Sequence, residues 1–270
     1  MTMCGNWFKK TEAEYLPVGF RIISNGRNKY SGGNSLNGCV NDTIYMPEPL
    51  EAVFDIDVRR YFNYDVTVKN YIDRAERAIS TLSSGATVVV IADSCYSGTI
   101  TRGNFGMNIV ADHYRIKNRY LPNPKVTPEM VVKKRALAST ETRCILISGS
   151  QENQTSADAY FSNYNRYMGA LSCALREAFR KGMTWGEWTF EATRLIIKWG
   201  FDQRPNIMGS SDRINEVIGS NQTLMLHNSS HGSRMIDKSG DEIDGYDETL
   251  YFDTHLPDDM LSLVLDKIPA

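Results

Sequence analysis

A cysteine and a histidine each follow an apolar run that is typical of a buried strand. Cys95 lies within 93–98, directly after the run 87–92, and His231 comes a few residues after the run 223–226. In open α/β sheets, functional groups gather at the carboxyl ends of the strands. A thiol beside an imidazole is a nucleophile with its base. The sequence therefore predicts a cysteine–histidine dyad.

The two residues would divide the chemistry of acyl transfer. The Cys95 thiolate would attack a carbonyl carbon, and His231 would move the proton. Backbone N–H groups near Cys95 and Gly232 would form an oxyanion hole. The alternative is that both side chains are structural, as most buried cysteines and lone histidines are. We interpret His227, inside the second strand, as structural.

Composition narrows the class of protein. The 270 residues are 41% hydrophobic and 23% charged, which is usual for a globular protein with one large or two small domains. The net charge of −2 gives no reason to expect a nucleic-acid or membrane partner. Apolar runs are far shorter than the roughly 20 residues that span a bilayer, and residues 1–14 lack the apolar core of a signal peptide. The five cysteines form no CxxC pair, so we expect reduced thiols and a cytoplasmic protein.

Strand and helix patterns alternate along the chain and predict an α/β domain. Its sheet would be mostly parallel, with helices on both faces. Strands are predicted at 20–24, 87–92 and 144–147, and helices at 42–54, 67–82, 167–180 and 185–199. Residues 99–142 show little periodicity and many basic side chains, so a long mobile loop is expected there.

Five blocks of sequence resemble the motifs of the metacaspases, a group of caspase-like cysteine peptidases. They are LNGCVND at 36–42, DSCYSG at 93–98, SGSQENQTSADA at 148–159, GALS at 169–172 with QRP at 203–205, and SSHG at 229–232 with the acidic stretch 240–248. Tyr96 stands where the family usually has histidine. The resemblance covers most of 18–265. It implies a caspase-like three-layer α-β-α fold, as one peptidase domain over 18–270 after an N-terminal extension, 1–17.

The order of the blocks departs from the family. There the histidine block precedes the nucleophile block, whereas here it is transposed to 221–270. The site would be retained if the strand around 223–228 inserted beside the first strand and the cysteine strand. Alternatively, the block would dock into a second copy by domain swapping. The sequence leaves both a monomer and a domain-swapped dimer open.

The resemblance also implies a specificity pocket lined by Asp42, Asp93 and Ser229, with Gly232 in the oxyanion hole. Carboxylates in a closed pocket select a cation, and the planar guanidinium suits them especially. We therefore expect peptide or protein substrates that are cleaved after Arg or Lys. The alternatives are that Asp42 is a helix N-cap and that Asp93 caps the turn after its strand.

Calcium is the metal that the resemblance implies. Ca²⁺ takes six to eight oxygen ligands, and the acidic C-terminal region would supply carboxylates from Asp247, Asp258 and Asp259. The stretch 99–102, where the family has a further acid, contains no carboxylate. The alternative is a solvated acidic loop.

The basic loop is a natural target for a protease that cleaves after Arg or Lys. The candidate self-cleavage positions are Arg119, Lys134 and Arg135. Together these features predict a metacaspase-like, calcium-activated and self-processing cysteine endopeptidase. One alternative is a catalytically inactive caspase-like module that binds partners. Another is an engineered, shuffled chain in which activity is incidental.

Overall fold

A six-stranded sheet lies at the centre of the protein. The structure, a computed structural model, describes residues 19–95, 116–121, 144–151, 154–236 and 246–269. In spatial order the strands are β2 (Ile56–Phe62), β1 (Phe20–Gly26), β9 (Thr223–Ser229), β3 (Thr87–Asp93), β5 (Ile145–Ser148) and β8 (Asn206–Met208). The first five strands run parallel, and β8 pairs antiparallel with β5 at one edge.

The strand from the C-terminal block, 221–270, lies in the middle of this sheet. Along its whole length β9 pairs in parallel with β1 on one side and with β3 on the other. All seven of its residues are buried. The late block therefore completes the sheet of its own chain, which is the first of the two arrangements that the sequence left open.

Helices cover both faces of the sheet, as expected for a three-layer fold. The first face carries α2 (Glu48–Glu51), α4 (Ala170–Ala178) and α5 (Trp185–Lys198), and the second carries α3 (Val68–Ile79) and α7 (Asp258–Leu265). Side chains of β3 alternate between the faces: Val89 and Ile91 meet the first group of helices, and Val88 and Val90 meet the second. The predicted fold class is confirmed. Two short helices, α1 (Cys39–Tyr45) and α6 (Ser211–Ile214), complete the described set.

Two small antiparallel sheets accompany the central one. One contains β4 (Ile116–Asn118), β6 (Ala157–Phe161) and β7 (Arg166–Gly169), in that spatial order. The other contains β10 (His231–Ile236), β11 (Tyr246–Tyr251) and β12 (His255–Pro257). In the described part of the chain, no helix combines the length and apolar character needed to cross a membrane.

Three element predictions were wrong in instructive ways. The helix expected over 42–54 begins earlier, at Cys39, and is divided into α1 and α2 near Pro47, whose missing N–H interrupts the helical ladder. The helix expected over 167–180 begins only at Ala170, because 166–169 pair with β6 as a strand. Within the expected loop 99–142, residues 116–118 form β4, and 99–115 and 122–142 lie outside the described residues.

Candidate active site

The cysteine and histidine segments meet because β3 and β9 are parallel neighbours. Cys95 follows β3 by two residues, and His231 begins β10 two residues after β9 ends. A Cβ atom built on Gly232 would lie 1.6 Å from the Cys95 carbonyl oxygen. Only glycine allows this close approach of the two backbones, so the residue after the histidine fixes the distance between the segments.

The Cys95 thiol is buried against the start of β6. Its Sγ accepts a hydrogen bond from the Ser156 N–H at 3.0 Å. Burial raises the pKa of Cys95 to about 12, although the Ser156 N–H and the nearby Arg119 oppose the rise. The thiol is therefore protonated in this state, and a base must remove the proton before the sulfur can attack.

The His231 ring is oriented by a carbonyl group. The ring Nε2 lies 2.7 Å from the Asn34 carbonyl oxygen. Because that oxygen can only accept, the ring proton is on Nε2 and the lone pair is on Nδ1. The Tyr30 ring contacts the imidazole edge-on at 4.6 Å between centroids, and its hydroxyl accepts from the His231 N–H. Burial lowers the pKa of His231, which keeps the ring neutral and suited to act as a base.

A buried arginine fills the predicted specificity pocket. The Arg119 Nη1 donates to Ser229 Oγ at 2.6 Å and to the Asp93 carbonyl oxygen at 2.8 Å. Its Nη2 donates to Asp42 Oδ2 at 2.6 Å and to Asp158 Oδ1 at 3.2 Å. The Asp93 carboxylate completes the set with its Oδ1 3.4 Å from Nη1. Three carboxylates therefore surround one guanidinium, in the planar and charge-assisted geometry that arginine favours.

Backbone N–H groups hold each pocket carboxylate in place. The pairs are Gly169 to Asp42, Gly38 to Asp158 and Ser172 to Asp93, each at 2.8 Å. A Cβ atom on Gly169 would lie 2.0 Å from Asp93 Oδ2 and 2.7 Å from the Arg119 Cζ. The pocket wall is therefore bare backbone at this point, which leaves room for the guanidinium.

The pKa of the Asp42 carboxyl is shifted strongly by its position in the pocket. Burial raises its pKa to about 7; the Arg119 guanidinium opposes the rise, and Asp93 adds to it. Carboxylates that lie close together and share one cation cannot all be ionised without a large free-energy cost in a site that excludes water. Asp42 is thus the carboxyl that a proton reaches in the neutral pH range.

The segment that carries Arg119 lies across the site like a bound peptide. Its strand β4 pairs antiparallel with β6, and the Arg119 N–H donates to the Ser156 carbonyl at 3.0 Å. The Arg119 carbonyl oxygen accepts from the Gly232 N–H at 2.8 Å, the donor expected for the oxyanion hole. The Arg119 backbone also lies close enough to Cys95 and His231 to lower the pKa of the one and to oppose the fall in the other.

The structure thus brings the segments of the predicted site together: the Cys95 backbone contacts Gly232, and Arg119 bonds to Gly232, Asp42, Asp93 and Ser229. The described contacts include no hydrogen bond between the Cys95 sulfur and the His231 ring, since Sγ bonds to Ser156 and Nε2 to Asn34. The alternative that Asp42 is an N-cap is wrong, since Asp42 lies inside α1 after the N-cap Gly38. Asp93 ends β3 and accepts from the Ser172 N–H; the turn that it was suggested to cap continues into 96–98, outside the described residues. His227 is fully buried between the hydroxyls of Ser24 and Ser172.

Sequence reasoning did not single out four residues that shape the site. Ser156 and Asp158 stand inside the quoted block 148–159, so position within a motif was the available signal. Tyr30 and Asn34 come from the loop after β1, where no local pattern indicated contact with the histidine.

The residues expected to bind calcium do not form a metal centre in the described ranges. Asp247 is nearly buried in β11, whereas Asp258 and Asp259 begin α7. No group of three or more His, Cys, Asp or Glu side chains among the described residues is arranged to hold a metal ion. Other acidic positions of this region, within 237–245, lie outside the described residues, as do Lys134 and Arg135.

Comparison with known proteins supports the fold alone. No family model and no curated protein matches the sequence. Among solved structures, the chain is similar to the crystal structure of protein GSU0716 from Geobacter sulfurreducens, with a TM-score of 0.51 and 18% sequence identity. The match covers 73% of this chain and 97% of the other.

Proposed function

We propose that the protein is a metacaspase-like cysteine endopeptidase that cleaves after arginine. One observation carries the proposal: the Arg119 side chain fills a pocket of three carboxylates while its carbonyl oxygen accepts from the N–H of Gly232, which follows His231 and lies against the Cys95 backbone. This is the position that the acyl group of a substrate would need to occupy.

The chemistry follows from the groups around that carbonyl. The neutral His231 imidazole takes the Cys95 proton, and the sulfur attacks the carbonyl carbon. The Gly232 N–H stabilises the oxyanion that forms. As the C–N bond breaks, the imidazolium returns its proton to the leaving amine. Water then attacks the thioester with the imidazole as base, releasing a carboxylate and the free thiol.

The pocket geometry favours arginine over lysine. Both terminal nitrogens of the Arg119 guanidinium are used, and each donates to two acceptors. A lysine ammonium is a single point charge and lacks this planar, forked arrangement of donors. Cleavage after lysine is therefore expected to be the slower of the two activities.

The bond after Arg119 is the self-processing site in this proposal. It is held across the site by the chain itself, so cleavage needs no second molecule. Wild-type protein is expected to yield a fragment ending at Arg119, and Cys95→Ala protein is expected to stay intact, as intact-mass spectrometry will show. Cleavage that persists in Cys95→Ala, or that spares the 119–120 bond, contradicts this assignment.

The proposed function is tested with internally quenched peptides that differ only in Arg, Lys, citrulline or Asp at the cleaved position. Wild type and Cys144→Ala, whose cysteine is buried outside the site, are expected to cleave the Arg peptide, and Cys95→Ala is not. Each assay is run with calcium and with chelator. A rate that disappears with chelator supports calcium activation, and equal rates reject that part of the proposal alone.

An inactive binding module is the second candidate. It is favoured by the occupied pocket and by the protonated Cys95 thiol, whose pKa burial raises to about 12. This candidate would be supported if the folded wild-type protein cleaves none of the peptides and its own 119–120 bond stays intact.

A further inference from the structure

The strand that follows His231 contacts the chain beyond the bond expected to be cleaved. The Leu121 N–H donates to the Gly232 carbonyl oxygen at 2.9 Å. The Ser233 hydroxyl donates to the Leu121 carbonyl oxygen at 2.7 Å. Both main-chain polar groups of the second residue after the bond are therefore satisfied by β10.

Tyr120, the first residue after the bond, is also held by β10. Tyr120 forms a parallel bridge with Gly232, and its half-buried phenol lies within electrostatic range of Arg234 and Cys95. Burial raises the pKa of Tyr120, and the Arg234 guanidinium opposes the rise. The Tyr120 phenol is thus within electrostatic range of a cation that β10 also supplies.

These contacts differ in kind from those before the bond. On the arginine side the segment pairs with β6 and places a side chain in a closed pocket. On the other side, β10 contacts the main chain, as an edge strand does when it binds an extended peptide. Together β6 and β10 hold one segment of chain from the residues before Arg119 to Leu121.

We propose that β10 is a substrate-binding strand, and that the enzyme acts on extended polypeptide segments continuing at least two residues beyond the arginine, with a free N–H on the second. The inference rests on the proposed function and specifies its substrate class. Arginine amides, esters and substrates with proline at that second position lack the contact.

The peptide test removes the hydrogen bond from the Leu121 N–H to the Gly232 carbonyl oxygen. The reference is an internally quenched peptide that repeats 116–121 with flanking residues. Its partner carries N-methylleucine in place of the leucine that matches Leu121, and a control is N-methylated two residues further on. Because a net hydrogen bond is worth about one tenfold step, we expect kcat/KM to fall about tenfold for the partner only. Equal loss in the control overturns the proposal.

The protein test removes the matching hydroxyl. Ser233→Ala is expected to lower kcat/KM about three- to tenfold for the long peptide, and to leave hydrolysis of an arginyl-aminocoumarin substrate unchanged. Ser80→Ala is the control, since its hydroxyl also donates to a backbone carbonyl, at the end of α3. Equal effects of Ser233→Ala on both substrates overturn the proposal.

A binding measurement separates this inference from the proposed function. Fluorescence anisotropy compares the reference and N-methylleucine peptides on Cys95→Ala protein that also carries Arg119→Ala, so that the tethered segment no longer fills the pocket. Weaker binding of the methylated peptide supports the β10 contact, even if wild-type protein proves to lack peptidase activity. Equal binding, or no binding of either peptide, overturns it.

Discussion

Burial raises the pKa of the Asp42 carboxyl, and the nearby Arg119 guanidinium lowers it. The resulting pKa of about 7 means that a proton competes with the substrate guanidinium for this carboxylate near neutrality. Burial lowers the pKa of His231 from its ordinary 6.5. Burial therefore shifts the pKa values of the two groups in opposite directions.

Activity on the Arg peptide is expected to fall towards acid pH, because burial raises the pKa of Asp42 to about 7 even with the Arg119 guanidinium beside it. Protonation removes one anionic partner of the guanidinium, so kcat/KM decreases on the acid side. Asp42→Asn should flatten this limb and lower the plateau above it, as stopped assays from pH 5 to pH 9 will measure, a span of about two units on either side. A limb that is unchanged in Asp42→Asn contradicts the assignment.

Asp158 contributes a further charge that sequence reasoning did not place in the pocket. Because a hydrogen bond to a charged group is worth about 1.5–3 kcal/mol, Asp158→Asn should lower kcat/KM for the Arg peptide roughly 10- to 100-fold. The citrulline peptide, which is neutral, should change little. Asp57→Asn is the control, since Asp57 pairs with Arg21 and Arg59 outside the site. Similar losses on both peptides would count against a charge role.

At the scale of elements, the backbones of β10 and the cysteine segment pack so closely at Gly232 that no side chain fits between them. Gly232→Ala would place a methyl group 1.6 Å from the Cys95 carbonyl oxygen. Overpacking of this kind costs about 1–3 kcal/mol or more. We expect a lower melting temperature and loss of measurable peptidase activity. Gly19→Ala, whose new Cβ would meet nothing within 4 Å, is the control and should match wild type in both measurements.

The elements that sequence predicted best are those with strong local signals. The apolar runs of β3 and β9, and the periodic patterns of α3 and α5, are long enough to be recognised without tertiary information. The elements that it missed are short strands such as β4 and β7. The partner of β4 lies far away in the chain, and β7 is too short to show a strand pattern of its own. For 166–169, pairing with β6 overrides a pattern that favoured a helix.

The same distinction applies to the site. Cys95, His231 and the pocket residues Asp42 and Asp93 stand in blocks that resemble one family, so each could be named from sequence. The position of the Arg119 side chain in the pocket could not be predicted from the sequence. It depends on the pairing of β4 with β6 and on contacts with four segments distant in sequence. Only the basic character of its loop suggested a substrate-like role.

At the scale of the whole molecule, β9 is the strand on which the fold depends. It supplies buried side chains to both faces of the sheet and joins β1 to β3. A chain ending at residue 220 leaves those two strands without their shared partner. We expect it to be insoluble or unfolded by circular dichroism, and co-expression with a separate 221–270 segment to restore a folded complex. A well-folded 1–220 chain would contradict the central position of β9.

The position of β9 also sets the order in which the site comes into existence during synthesis. A ribosome makes Cys95, the pocket carboxylates and Arg119 well before it reaches His231. Until then, in the proposed peptidase, the nascent chain has the nucleophile and the cleavable bond but no dyad base. In the block order of the metacaspases, the base would emerge first. If the proposed function holds, cleavage would have to wait for the strand that completes the central sheet.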